Sequence, residues 1–149
     1  MSFSTQDDGS LAGHIDSWPY EIASSAHGLA LHEADGRQLL YTADMGTDSI
    51  WIHSVDEFGR PTLVSQVKLP WPGSKPRHLI VHPQGTFAYV VLEIDNSLLA
   101  MELDRSGFPV KDIECEPSSL IPEGEFPCPE ITFIFEYLTL GSYQRCTQL

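Results

Sequence analysis

The sequence predicts an all-β protein made of β-propeller blades, with about two complete four-stranded antiparallel blades in the chain. Three observations lead there. Short apolar runs rich in β-branched and aromatic residues alternate with turns that carry Gly, Pro, Asp or Asn, the pattern of strands joined by tight turns. The unit of four such runs occurs twice: setting His27 against Arg77, an offset of 77 − 27 = 50, brings Leu29 onto Leu79, Leu31 onto Val81 and His32 onto His82. One inserted residue later Gly36 falls on Gly85, Tyr41 on Val90 and Asp44 on Glu93; a second insertion puts Ser49 on Ser97, Asp56 on Asp104, Gly59 on Gly107 and Pro61 on Pro109. A four-strand unit at this period is the mark of a propeller blade. Third, the linker Pro70-Trp71-Pro72-Gly73-Ser74-Lys75-Pro76 separates the copies, as expected where a chain crosses from the edge of one blade to the centre of the next.

Taken in order, residues 1–25 read as the end of a preceding blade and a linker. Asp8-Gly9-Ser10-Leu11 resembles the turn and outer strand at Phe58-Gly59-Arg60-Pro61, and Trp18-Pro19 matches Trp71-Pro72. Blade one covers 26–69. Gly28 to Leu31 is its inner strand, Glu33 to Arg37 a turn, Gln38 to Ala43 the second strand, Ser49 to Val55 the third and Thr62 to Leu69 the outer strand. Blade two covers 70–115, with strands at Arg77 to Val81, Phe87 to Leu92, Leu98 to Leu103 and Phe108 to Ile113. Residues 116–149 read as a linker and a tail outside the repeat. Within that tail Ile131 to Leu138 is apolar and β-prone without turn chemistry, an aggregation hazard when exposed.

A net charge of −13 argues against broad binding to nucleic acid or anionic membrane, and it requires a local cationic pocket for any anionic substrate. The N-terminus has no basic region followed by an apolar one, and no apolar run is long enough to span a bilayer. Cys115, Cys128 and Cys146 are odd in number and widely spaced, fitting neither a zinc site nor a disulfide framework; a reducing, cytoplasmic setting is the expectation.

The blade hairpin gathers candidate chemistry. The start of an inner strand lies beside the end of its antiparallel partner. His27 and Asp44 hold these places in blade one, Arg77 and Glu93 in blade two, so all four are expected at one end of the central channel. A cation, an imidazole and two carboxylates meeting there can bind an anion and move a proton. Each has a plainer reading beside it. Arg77 and Glu93 can form a structural ion pair, His27 can be a packed strand-start histidine, and Asp44 can be a turn residue or can orient His27. Lys75 and His78 add positive potential near Arg77 or are solvated, His32 and His82 hold equivalent turn positions, and Trp18, Trp51 and Trp71 read as packing between blades.

Ala26-His27-Gly28-Leu29-Ala30-Leu31, Tyr41-Thr42-Ala43-Asp44, Pro76-Arg77-His78 with Val81-His82-Pro83, and Ala88-Tyr89 with Leu92-Glu93 together resemble the seven-bladed propeller lactonase family, most of all the fungal carboxy-cis,cis-muconate cyclases. The likeness covers roughly residues 8 to 122, so the chain reads as a partial copy. The resemblance implies an enzyme of aromatic-compound catabolism that closes a lactone from a small carboxylated muconate without metal or nucleotide. It implies catalytic roles for His27 and Glu93 and substrate binding by Arg77, beside which the residue reading sets Asp44 and His78 as supporting groups. The related activity it implies is hydrolysis of a sugar lactone such as 6-phosphogluconolactone; a rival reading is a non-catalytic fragment or scaffold. A further arginine of the family has no counterpart here, and His32-Glu33-Ala34 stands where the family has Asp-Pro. Alone, the chain is expected to self-associate through open blade edges and to be inactive.

Overall fold

Short turns return each strand beside the one before it, so strand order in space follows strand order in the chain. The computed structural model describes residues 1–94 and 96–110 and the two-residue strand Ser118–Ser119. Among these residues there are strands and no helix. β1 (Ser2–Thr5) and β2 (Leu11–Asp16) form an antiparallel hairpin. β3 (Ala26–Ala34), β4 (Arg37–Asp44), β5 (Ser49–Val55) and β6 (Pro61–Lys68) form a four-stranded antiparallel sheet in chain order. β7 (Pro76–Val81), β8 (Phe87–Leu92), β9 (Ser97–Glu102) and β10 (Ser118–Ser119) form a second.

The turns repeat their chemistry. Asp56 Oδ1 accepts from the amides of Phe58 and Arg60, and Asp104 Oδ1 accepts from those of Ser106 and Phe108. Each turn is closed by a glycine amide, Gly59 to the Asp56 carbonyl and Gly107 to that of Asp104. Gln6 and Gly9 make the same backbone bonds between β1 and β2, so this hairpin matches the third and outer strands of a blade, one strand more than expected. The turn equivalent to Trp71–Ser74 is Glu21–Ser24, which displaces the expected match of Trp18 to Trp71.

Pairing in blade one runs further than expected. Asp35 and Gly36, both at positive φ (51° and 70°), close the β3–β4 hairpin in two residues, so the strands extend to Ala34 and Arg37. In blade two the inner hairpin is two residues shorter, and the register corrects the repeat. Leu29 pairs with Thr42 and Leu79 with Val90, so β4 and β8 are related by 90 − 42 = 48, whereas the turn glycines suggest 85 − 36 = 49. Tyr41 therefore corresponds to Tyr89 and Asp44 to Leu92. Glu93 corresponds to Met45: the Met45 amide donates to the Ser25 carbonyl as the Glu93 amide donates to that of Lys75. The outer run expected at Phe108 to Ile113 begins with Pro109 bridging Leu103, and β10 pairs with Ser97 and Leu98, past the expected end of blade two at 115. Asp95, the stretches on either side of β10, the three cysteines and Ile131 to Leu138 lie outside the described residues.

Both faces of each sheet carry apolar side chains because alternate residues point to opposite sides. Leu39, Tyr41, Ala43, Ile50 and Ile52 on one face of blade one are buried against Leu79, Val90, Leu92, Leu99 and Met101 of blade two. Burying a side chain of this size stabilises by about 1.5–3 kcal/mol, so this inter-blade layer holds the two sheets together. The Tyr41 hydroxyl crosses it, donating to the Gly107 carbonyl at 2.6 Å. On the other face of blade one, Tyr20 packs edge-on against Trp51 and His53, and Trp18 against His53. Leu29 and Leu31 are 62% and 60% exposed on the side of β3 turned away from blade two.

Candidate functional site

The inner strands β3 and β7 come together at their N-terminal ends because residue 28 is glycine. A Cβ there would sit 2.5 Å from the Arg77 carbonyl oxygen and 2.7 Å from the His78 Cα. Both strands bulge at this point: the register breaks between Ala26 and Leu29 and again between Pro76 and His78. A bulge adds a residue to one strand and re-aims its side chain. His27 and Arg77 stand in these two bulges.

Arg77 Nη1 meets Glu93 Oε1 at 2.5 Å, with each side chain about one-third exposed. An ion pair this open to solvent contributes about 1 kcal/mol or less to stability. Arg77 Nε is buried with no hydrogen-bond partner among the described residues. The His78 ring lies edge-on to that of His27, centroids 4.9 Å apart. Burial pushes the His78 imidazole below its ordinary pKa, His27 and Arg77 push the same way, and Glu93 opposes them. His27 makes no side-chain hydrogen bond among the described residues, leaving both ring nitrogens open. One end of the two inner strands thus carries a guanidinium, a carboxylate and two imidazoles. Together they can hold an anion and exchange a proton with it.

Asp44 serves the loop behind this end. Its carboxylate is buried and accepts from the Ser25 and Gly46 amides at 2.6 and 3.0 Å, from Thr47 Oγ1 at 2.7 Å and from Trp51 Nε1 at 2.9 Å. Burial raises its pKa, but the hydroxyls of Ser24 and Thr47, the Ser25 amide and the Trp51 indole outweigh that and hold it at about 2. Asp44 reaches His27 through the chain, by fixing Ser25 just before β3. Asp48 does the same for blade two, accepting from the amides of Gly73 and Lys75 at 2.7 and 3.0 Å. Sequence reasoning missed Asp48; an acidic residue closing a strand turn one sheet away from a Pro-Gly linker was its signal. Lys75 Nζ donates to the Met45 carbonyl at 3.0 Å, which ties the two blades beside the site.

The remaining candidates lie elsewhere. His82 Nδ1 accepts from the Gln84 amide, and the His32 ring lies over Gly85, both at the opposite end of the inner strands. A groove of about 270 Å³ opens at that far end, lined by His32, Glu33, Gln84, Thr86, Asp104 and Arg105 among others, and is separate from the Arg77 cluster. Trp51 is committed to Asp44, Trp18 to His53, and Trp71 packs on the inter-blade core.

Residues 2–124 match the family model described as lactonase, 7-bladed beta-propeller. The carboxy-cis,cis-muconate cyclase of Neurospora crassa is 29% identical over 123 residues, 82% of this chain and 32% of that protein. The 6-phosphogluconolactonase of Bacillus subtilis is 26% identical over 118 residues, 75% of this chain and 33% of that protein. The chain thus spans about a third of the length of these relatives. Among solved structures, the periplasmic gluconolactonase of Pseudomonas aeruginosa superposes with a TM-score of 0.64 at 25% identity, over 83% of this chain and 36% of that one.

Proposed function

The chain belongs to the seven-bladed β-propeller lactonase family, and from that premise we propose that it carries part of the site of a cycloisomerase that closes a lactone on a carboxylated muconate. The observation that carries this reading is the gathering of Arg77, Glu93, His27 and His78 at one end of β3 and β7. The reaction is an isomerisation. One substrate carboxylate oxygen adds to a carbon of the conjugated diene, a new C–O bond closes the ring, and the adjacent carbon takes up a proton. Arg77 holds a substrate carboxylate through its planar fork of donors. Glu93 keeps that fork oriented. His27, whose nitrogens are not engaged, delivers the proton. Hydrolysis of a lactone is the second reading, favoured by the relatives named 6-phosphogluconolactonase and gluconolactonase. A phosphorylated substrate would need further cations, and the Lys75 ammonium beside the site is already on the Met45 carbonyl.

The test is direct. The chain and its Arg77→Gln variant are titrated with cis,cis-muconate and 3-carboxy-cis,cis-muconate, with ring-proton NMR for binding and the loss of diene absorbance for turnover. Binding that shifts the His27 signals and is lost with Arg77 supports the reading. Hydrolysis of 6-phosphogluconolactone without muconate binding favours the second. No response of the His27 or His78 signals to either substrate at millimolar concentration overturns both.

A further inference from the structure

We propose that His27 and His78 form an electrostatically coupled pair, in which a charge on one ring opposes a charge on the other and His78 is the positioning residue beside His27. This deepens the reading of the Arg77 end as a proton-transferring site and rests on it. The pair is built by the contact between blades. His27 stands in the β3 bulge, His78 follows Arg77 directly after the β7 bulge, and Gly28 lets the two strands close until the rings meet edge to face at 4.9 Å. At that separation two imidazolium ions repel strongly in a partly desolvated site, so protonating one ring opposes protonating the other.

The charged groups on the neighbouring elements act on the pair in both directions. On β7, Arg77 adds a fixed positive charge; after β8, Glu93 supplies the balancing negative one. In the linker before β7, the Lys75 ammonium is held at the Met45 carbonyl. His78 is the more enclosed ring, and its surroundings disfavour the imidazolium. His27 is the exposed ring of the two, open to a bound carboxylate. A neutral His78 sets no charge against a proton passing through His27, whereas a permanent cation at residue 78 would oppose it.

The test follows the ring carbon-bound protons of the six histidines by NMR across pH on the full chain without substrate. His27→Gln removes one partner, and the His78 midpoint should then move to higher pH. Glu93→Gln removes the balancing charge and should move it lower. His78→Phe keeps an edge-on ring with nothing to titrate; the inflection that the His27 signals show at the His78 midpoint should vanish in it. The signals of His14, His32, His53 and His82 at their wild-type positions certify the fold of each variant. A His78 midpoint that stays put in folded His27→Gln, or His27 signals with no inflection at that midpoint in the wild type, overturns the pair. Addition of cis,cis-muconate in a separate arm bears on the substrate reading alone, so the two can fail independently.

Discussion

Replacing Gly28 by alanine should loosen the contact between blades and the site together. The added Cβ would lie 2.5 Å from the Arg77 carbonyl oxygen, 2.7 Å from the His78 Cα and 3.3 Å from the Arg77 carbonyl carbon. All three atoms are backbone, so no side-chain rotation relieves the overlap. The first distance is about 0.9 Å short of the 3.4 Å at which ordinary contact begins. Forcing one extra carbon into a packed layer costs about 1–3 kcal/mol, and β3 and β7 must part to accept it. At about 4 °C per kcal/mol for a chain of this size, the melting temperature should fall by about 4–12 °C. Gly28 is not among the residues at positive φ, so backbone strain adds nothing and the effect isolates the steric clash. The assay is a thermal melt by near-ultraviolet circular dichroism, with Gly13→Ala as the control. A Cβ at residue 13 meets only Ser4 Oγ, at 3.6 Å, and should leave the melt unchanged. A Gly28→Ala melt within 1 °C of wild type, with the His27 and His78 signals unmoved, would refute the role given to this glycine.

Four further outcomes follow from the same geometry. Tyr41→Phe leaves the buried Gly107 carbonyl without its donor and should lower stability by about 1–2 kcal/mol in urea unfolding; burial, and then Asp104, push the Tyr41 phenol up to about 12, so the bond should persist through pH 10. Asp44 is held at about 2 against an ordinary 3.8, so its contribution, on the order of 2 kcal/mol, is complete above pH 3.8 and lost as pH falls towards 2; Asp44→Asn should flatten that limb of the urea midpoint against pH. Burial pushes the His53 pKa below its ordinary 6.5, so the fold favours the neutral ring, and its contribution is complete above pH 6.5 and declines as pH falls below it; His53→Leu should remove that decline. Leu29 and Leu31 should drive self-association, and Leu29→Glu with Leu31→Lys should reduce the mass seen by light scattering, whereas a monodisperse wild-type monomer would contradict this.

The strands were legible because their residues admit few alternatives. Phe87 to Leu92 is rich in β-branched and aromatic residues, and β8 occupies that span. The turns at Asp56-Gly59 and Asp104-Gly107 were legible because one carboxylate serves two amides in each, a chemistry written in four residues. Ring contacts were less so. His78 was read as added potential near Arg77, as solvated or as a supporting group, but not as a partner of His27, because that closeness depends on two bulges and on a glycine in the neighbouring blade. The match of Asp44 to Glu93 failed for a local reason. Gly36 closes a two-residue turn whereas Gly85 lies in a longer loop, so aligning the glycines shifts the following strand by one residue. In a strand one residue is the difference between two faces. Asp44 faces Trp51 and the Ser25 loop, while Glu93 turns to Arg77.

That one-residue distinction bears on how such a chain can change its chemistry. The amide of residue 45 and the amide of residue 93 are tied down by the same kind of bond to the carbonyl before the inner strand, and neither side chain is needed to make it. Blade one fills this address with methionine and blade two with glutamate. The repeat therefore offers duplicate addresses at one end of the two inner strands, each held by main chain and each free to be rewritten. A new acid, base or anion ligand can be placed at one address while the copy beside it keeps its own side chain.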